Sequence, residues 1–275
     1  MNILKKKSTI LAVTALTAVG VLMAGCGDQG KKEEKPAASN NAIQKIKDRG
    51  VLKVGVKFDV PLFGFKNPET GAIEGFEIDL SKAVAKKIFG DENMVEFTAV
   101  NAKTRGPLLD SGELDAVIAR YTINEERKKQ YNFTEPYYTE PVGLLVKKAD
   151  NIHSLKDLDG KTISEPQGTT MRGAVEEAAK KAGVTVKFIE FPTYTECKAA
   201  LMAGRADAYA MDKSNLLVFL DDQTVILPDT FAPQDYGVAT KKDNVELRDL
   251  INGVLADMKK SGELDQLLQK WKLKD

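Results

Sequence analysis

The chain has 275 residues, and its 40 basic and 40 acidic side chains cancel to a formal net charge of zero, which offers a polyanion such as nucleic acid nothing to hold. One histidine and two cysteines leave zinc and haem without a ligand set, so no metal or cofactor is expected. The absence of GxGxxG, GxxxxGK[ST] and GxSxG patterns argues against a nucleotide enzyme and a serine hydrolase.

At the start of the chain, Lys5, Lys6 and Lys7 precede an apolar run from Ile10 to Met23 and small residues leading into Cys26. This is the plan of a secretory signal, and the run is short of the roughly 20 residues that span a bilayer. LMAGC resembles the bacterial lipobox, with Met23 where leucine is commoner. The resemblance implies that residues 1–25 are removed and that Cys26 carries a lipid, anchoring the chain to a membrane outside the cytoplasm. Removal of residues 1–25 would leave 37 basic against 40 acidic residues, a net charge of −3. Residues 26–42 are charged and small, the composition of a flexible tether. With Cys26 acylated, Cys197 has no disulfide partner and reads as a small buried side chain.

Beyond the tether, VLKVGV at 51–56 reads as a strand. FEIDLSKAVAKKIFG reads as a helix ending at Gly90, with Ile78, Val84, Ala85 and Ile88 on one face. VEFTAV at 95–100 is the next strand. Such alternation predicts an α/β fold with a largely parallel sheet. The stretch 108–120, LLDSGELDAVIAR, is echoed about 92 residues later by ALMAGRADAYAMD at 200–212. Each copy has a helix end, a glycine (Gly112, Gly204), an Asp-Ala pair (Asp115-Ala116, Asp207-Ala208) and a short apolar strand. Between the copies, Pro136 and Pro141 interrupt an aromatic stretch, and FAPQDYGVAT at 231–240 looks like a second crossing. The expected organisation is therefore one lobe from 43–138 and 237–275, a second from 139–236, and a cleft between them that opens and closes. Eight residues after each echoed glycine lie Arg120 and Asp212, both at the carboxyl end of a strand, where open α/β sheets place ligands. Opposite charges facing each other across a cleft would suit a zwitterion.

Long ordered motifs carry a family resemblance: GFEIDLSKAVAKKI, YTINEERKKQYNFTEPYY and KDLDGKTISEPQGTT. Over residues 43–272 the chain resembles the polar amino-acid-binding proteins of ATP-binding-cassette importers, solute-binding protein family 3, which have a two-lobed type II periplasmic-binding fold. VGVKFDVP, VNAKTRGPLLD and MDKSNLL look most like the members that bind aspartate and glutamate. The resemblance implies a role for each matching position. Arg127 would clamp the ligand α-carboxylate, as a planar two-pronged donor can, and Thr122 would assist. Gly168, Thr169 and Thr170 would open a helix toward an anion. Asp212 would take the ligand ammonium, and Phe76 would wall the pocket. Lys57 and Arg105 would meet an acidic side chain.

Two positions depart from the family pattern. Arg120 stands where a small polar residue is usual, and Glu165 stands where an apolar one is. Arg120 could contact an acidic ligand or pair with Asp212 or Glu165, since a buried charge requires a partner. The implied function is a monomeric lipoprotein that binds glutamate or aspartate and serves a permease and a separate ATPase. Alternatives are glutamine or another polar amino acid, and, remotely, a dehydratase-type enzyme on the same scaffold with Glu165 as general acid.

Overall fold

A computed structural model describes residues 42–274 of the chain. The expected signal at 1–25, the lipid site Cys26 and nearly all of the tether lie outside the described residues.

The first expected strand forms at Leu52–Val56, one residue shorter than its apolar run, and is buried along nearly its whole length. Burial on both faces is what a central parallel strand requires. Its neighbours are Val95–Ala99 on one side and Ala116–Val117 on the other, both parallel. Gly55 leaves room for the packing above this strand, since a Cβ there would meet Leu114 Cδ1 at 2.6 Å. The sheet continues through Ala239–Lys241 to Tyr131–Phe133, and these last pairings are antiparallel.

Against this sheet lies the helix Phe76–Phe89, with Ile78, Val84, Ala85 and Ile88 buried as the periodicity predicts. It stops at Gly90, whose φ of 80° is left-handed and whose N–H bonds to the Lys86 carbonyl. The C-terminal helices Val245–Ser261 and Glu263–Lys270 pack beside it. Trp271 Nε1 and Lys270 Nζ both donate to Asp79 at 2.7 Å, which fastens the end of the chain to that helix.

The second sheet repeats the plan. Lys187–Phe191, Thr162–Pro166 and Ala208–Asp212 run parallel, and the long strand Tyr138–Lys147 is antiparallel to Ala208–Asp212. Each sheet thus has a parallel core of three strands flanked by antiparallel ones, where the sequence suggested a largely parallel sheet. The added strands are antiparallel because they are the ends of the segments that pass between the sheets. Those segments are zipped together: Phe231–Tyr236 pairs with Tyr138–Lys147, Tyr236 opposite Tyr138, and Thr134 N–H donates to Val238 O at 3.0 Å. Phe63, Tyr138 and Tyr236 stack around the crossing with ring centroids 5.4 to 6.3 Å apart. Each such pair contributes about 1 kcal/mol beyond simple burial.

Candidate functional site

The cleft between the two sheets is built at the carboxyl ends of their parallel strands. A cavity of about 660 Å³ opens there, lined by Thr122, Arg127, Gly168, Thr169, Thr170 and Gln234. Arg127 lies in the short helix Glu125–Gln130, capped by Asn124, whose side chain accepts the Arg127 N–H at 2.8 Å. Its guanidinium donates to Thr122 O at 2.8 Å and to Gly168 O at 3.1 Å, so it reaches from one sheet to the other.

Arg105 and Arg127 both stack on Tyr121, their guanidinium carbons 3.9 and 4.7 Å from the ring centre. Arg105 is buried and donates only to the carbonyls of Ala119 and Arg120, at 2.8 and 3.2 Å, and its Nε finds no partner among the described residues. Burial, with the neighbouring Arg105 charge, pulls Arg127 down to about 10. Neither guanidinium forms an ion pair with a carboxylate of the described residues. One buried and one half-buried cation, Arg105 and Arg127, held only by carbonyls, make a site for an anion.

Beside Arg105, which donates to the Arg120 carbonyl, lies a denser cluster. Arg120 Nη2 is 2.7 Å from Glu140 Oε1, 3.1 Å from Asp212 Oδ2, 3.2 Å from Ser214 Oγ and 3.1 Å from the Tyr236 hydroxyl. Burial would lower the Arg120 pKa, but Tyr236, Glu140 and Asp212 more than reverse this and hold it well above its ordinary value. Burial raises Asp212 to about 6 against the pull of Arg120, and its Oδ1 finds no partner among the described residues. Beneath this cluster Glu77, fully buried, accepts the Arg120 N–H and the Tyr137 hydroxyl, each at 2.6 Å. Desolvation pushes Glu77 up to about 7.

Comparison with known proteins gives this arrangement a context. The family described as bacterial extracellular solute-binding proteins, family 3, matches residues 52–274. The chain belongs to this family. It is 42% identical over 244 residues to the glutamine-binding protein of Geobacillus stearothermophilus, covering 85% of this chain and 91% of that one. It is 38% identical over 270 residues to the ABC transporter glutamine-binding protein GlnH of Bacillus subtilis, covering 97% of both. Among solved structures, an ancestral arginine-binding protein bound to glutamine matches with a TM-score of 0.71 and 41% identity, covering 81% of this chain and 98% of that one. An ancestral arginine-binding protein bound to arginine matches with equal values. The architecture is the type II periplasmic-binding fold.

In this solute-binding protein the residues singled out from sequence fall into three groups. Arg127, Thr122, Gly168, Thr169 and Thr170 share the rim of the cleft. Thr169 Oγ1 donates to Pro166 O at 2.8 Å and Thr170 Oγ1 to Gln234 at 2.5 Å, so both hydroxyls are engaged. Arg105, Arg120 and Asp212 lie deeper and are buried. Lys57 is buried as well, but its Nζ pairs with Asp59 at 3.0 Å and sits 4.7 Å from the Tyr194 ring centre. Phe76 is wholly buried in the core, 5.9 Å from Tyr137.

Arg120 pairs with Asp212, one of the two partners the sequence offers, and also with Glu140, for which the sequence carries no signal. Glu165 is not its partner. That carboxylate bonds Arg172 Nε at 2.7 Å within the second sheet's own neighbourhood. Glu77, Glu140, Ser214 and Tyr236 carried no sequence signal. Glu77 and Tyr236 sit in apolar or aromatic surroundings that read as core, and Glu140 lies in the crossing strand, between two prolines' reach.

Proposed function

We propose that this family 3 solute-binding protein captures a polar amino acid outside the cytoplasmic membrane and delivers it to an ABC permease driven by a separate ATPase. The observation that carries the reading is a charge match. Arg127 and Arg105 have only carbonyl partners, while Asp212 keeps one buried oxygen unpartnered. A ligand α-carboxylate suits Arg127 and an α-ammonium suits Asp212, which leaves Arg105 for the ligand side chain.

Among polar amino acids we place glutamine first, ahead of the acidic ligands that the motifs suggested. Lys57 is already neutralised by Asp59, and Arg120 by Glu140 and Asp212. Two of the three cations expected to meet an acidic side chain therefore have their own carboxylates. The two curated relatives of highest identity named above are glutamine-binding proteins. Glutamate or aspartate is the second reading, favoured by Arg105, which has no acidic partner among the described residues. An amide and a carboxylate differ by one charge, so Arg105 is the residue that would separate them.

In the proposed cycle, ligand docks on Arg127 and Thr122, and Asp212 with the 168–170 loop closes over it. Closure removes water and strengthens each ionic contact. A lipid on Cys26 would keep the protein at the membrane surface near its permease. An enzymatic role on this scaffold would call on Glu165, whose carboxyl is raised by burial but tied to Arg172.

The test is a thermal-shift panel of the common amino acids on the purified chain. A ligand at 100 times its Kd stabilises by about 2.7 kcal/mol, so glutamine should give the largest shift. A larger shift with glutamate would promote the second reading, and turnover of any ligand would overturn the binding-protein reading.

A further inference from the structure

We propose that Arg120 sets specificity by filling, from within the chain, a subsite shaped for a ligand cation, and so excludes amino acids with basic side chains. The substrate class rests on the amino-acid-binding reading above. The subsite itself rests on geometry alone.

The surroundings of the guanidinium are those of a receptor for a cation. Its Nη2 lies within 3.2 Å of two carboxylates, Glu140 and Asp212, and of two hydroxyls, Ser214 and Tyr236. Its central carbon lies 4.6 Å from the Phe63 ring centre and 5.4 Å from that of Tyr236. Carboxylates, hydroxyls and aromatic faces converging on one point suit an alkylammonium as well as a guanidinium. The fit to Arg120 itself is incomplete. All four contacts fall on Nη2, while Nε and Nη1 are buried and find no hydrogen-bond partner among the described residues. The planar fork of a guanidinium can set two prongs on one carboxylate, and here only Nη2 is used.

The backbone at this position is unusual and is pinned on both sides. Arg120 has a φ of 47°, in the left-handed region that side chains other than glycine rarely adopt. Glu77 fixes its N–H at 2.6 Å and Arg105 its carbonyl at 3.2 Å. Strain maintained from both sides marks a place where the direction of the side chain matters.

Charge gives the functional consequence. With Arg120 present, Glu140 and Asp212 leave one negative charge for one ligand ammonium. Without Arg120 two buried carboxylates would remain, and a ligand carrying a second cation, such as arginine or lysine, would satisfy both.

The experiment uses Arg120→Gly, whose backbone suits the left-handed conformation, titrated with methylguanidinium chloride and followed by thermal melting. The variant should gain several degrees in Tm, saturating at millimolar concentration, with no gain in the unmodified protein and none from equal sodium chloride. Arginine and lysine should bind the variant at least tenfold more tightly than they bind the unmodified protein. A variant no more sensitive to methylguanidinium than to sodium chloride overturns the subsite. Should Arg120→Gly not fold, Arg120→Met, close in volume, takes its place. The unmodified protein provides an arm that needs no substitution: stabilisation by arginine equal to that by glutamine refutes exclusion. If the unmodified protein responds to no amino acid, the amino-acid reading fails, while the methylguanidinium response still decides the subsite.

Discussion

The two echoed segments are alike where each strand begins and opposite where it ends. In the first, the helix Arg105–Ser111 closes on Gly112 at φ 80°, and Asp115 Oδ2 accepts the Lys53 N–H of the neighbouring strand at 2.8 Å. In the second, the helix Tyr194–Met202 is followed by Gly204 at φ 69°, and Asp207 Oδ2 accepts the Thr162 N–H at 2.8 Å. Each aspartate also returns its own N–H to the same residue's carbonyl, at 2.9 and 2.7 Å. The repeated glycine turns the chain and the repeated aspartate clips it to the next strand. At the far end, one copy delivers Arg120 and the other Asp212, which meet at 3.1 Å. Shared residues serve the architecture, and divergence falls at the carboxyl ends of the strands, where α/β sheets bind ligands.

The sharpest way to break this division is at the ligand end. Arg127→Ala should reduce affinity for the preferred amino acid at least a hundredfold by calorimetric titration. Affinity retained within tenfold, about 1.4 kcal/mol, would mean that the α-carboxylate is held elsewhere.

Two buried carboxylates then predict opposite responses to pH. Asp212, raised to about 6, must be ionised to receive an ammonium, so affinity should fall as pH drops below that value, approaching tenfold per unit. Binding that stays constant from pH 7.5 to 5 would remove Asp212 from this role. Glu77, raised by burial from 4.5 to about 7, is read through stability, to which the raised Asp212 contributes with the same sign. Between those values the folded chain holds a proton that the unfolded chain has released. The unliganded protein therefore loses stability as pH rises through this window, on the order of 3 kcal/mol for a shift of this size. Glu77→Gln, uncharged at every pH, should reduce that slope in melts of the unliganded protein to the part that Asp212 contributes, and an unchanged slope would assign it to other groups.

The fold was legible in the sequence wherever a local signal sufficed. The helix Phe76–Phe89 followed from its apolar spacing and Gly90, and the repeat followed from Gly112, Asp115, Gly204 and Asp207. The rim of the site was legible through the family motif around Arg127. The antiparallel strands at 138–147 and 231–236 were not, because their pairing joins residues nearly 100 positions apart. Glu140 and Tyr236 share that crossing, and neither residue type there differs from an ordinary strand until Arg120 is placed beside it. Lys57 was legible as a cation expected to meet an acidic ligand side chain but not as one already paired, since the direction of Asp59 is set by the small sheet of Asp59–Val60, Gly64–Lys66 and Ile73–Glu74.

The smallest expected effects test the architectural end of the comparison. Asp115→Ala and Asp207→Ala each remove the acceptor of one backbone N–H, at a cost of about 1 to 2 kcal/mol. For a domain of this size, each kcal/mol lowers Tm by about 2 to 4 °C. Asp115 also receives a hydrogen bond from Arg49, whereas Asp207 has only Lys161 nearby at 3.6 Å. Asp115→Ala should therefore melt at the lower temperature of the two. Because each aspartate lies at the start of its strand, both variants should bind ligand within about twofold of the unmodified protein, a change under 0.5 kcal/mol. A loss of affinity in Asp207→Ala comparable to that in Asp212→Ala would show that displacement at the start of the strand reaches its end, and the separation of clip from site would not hold for the second copy.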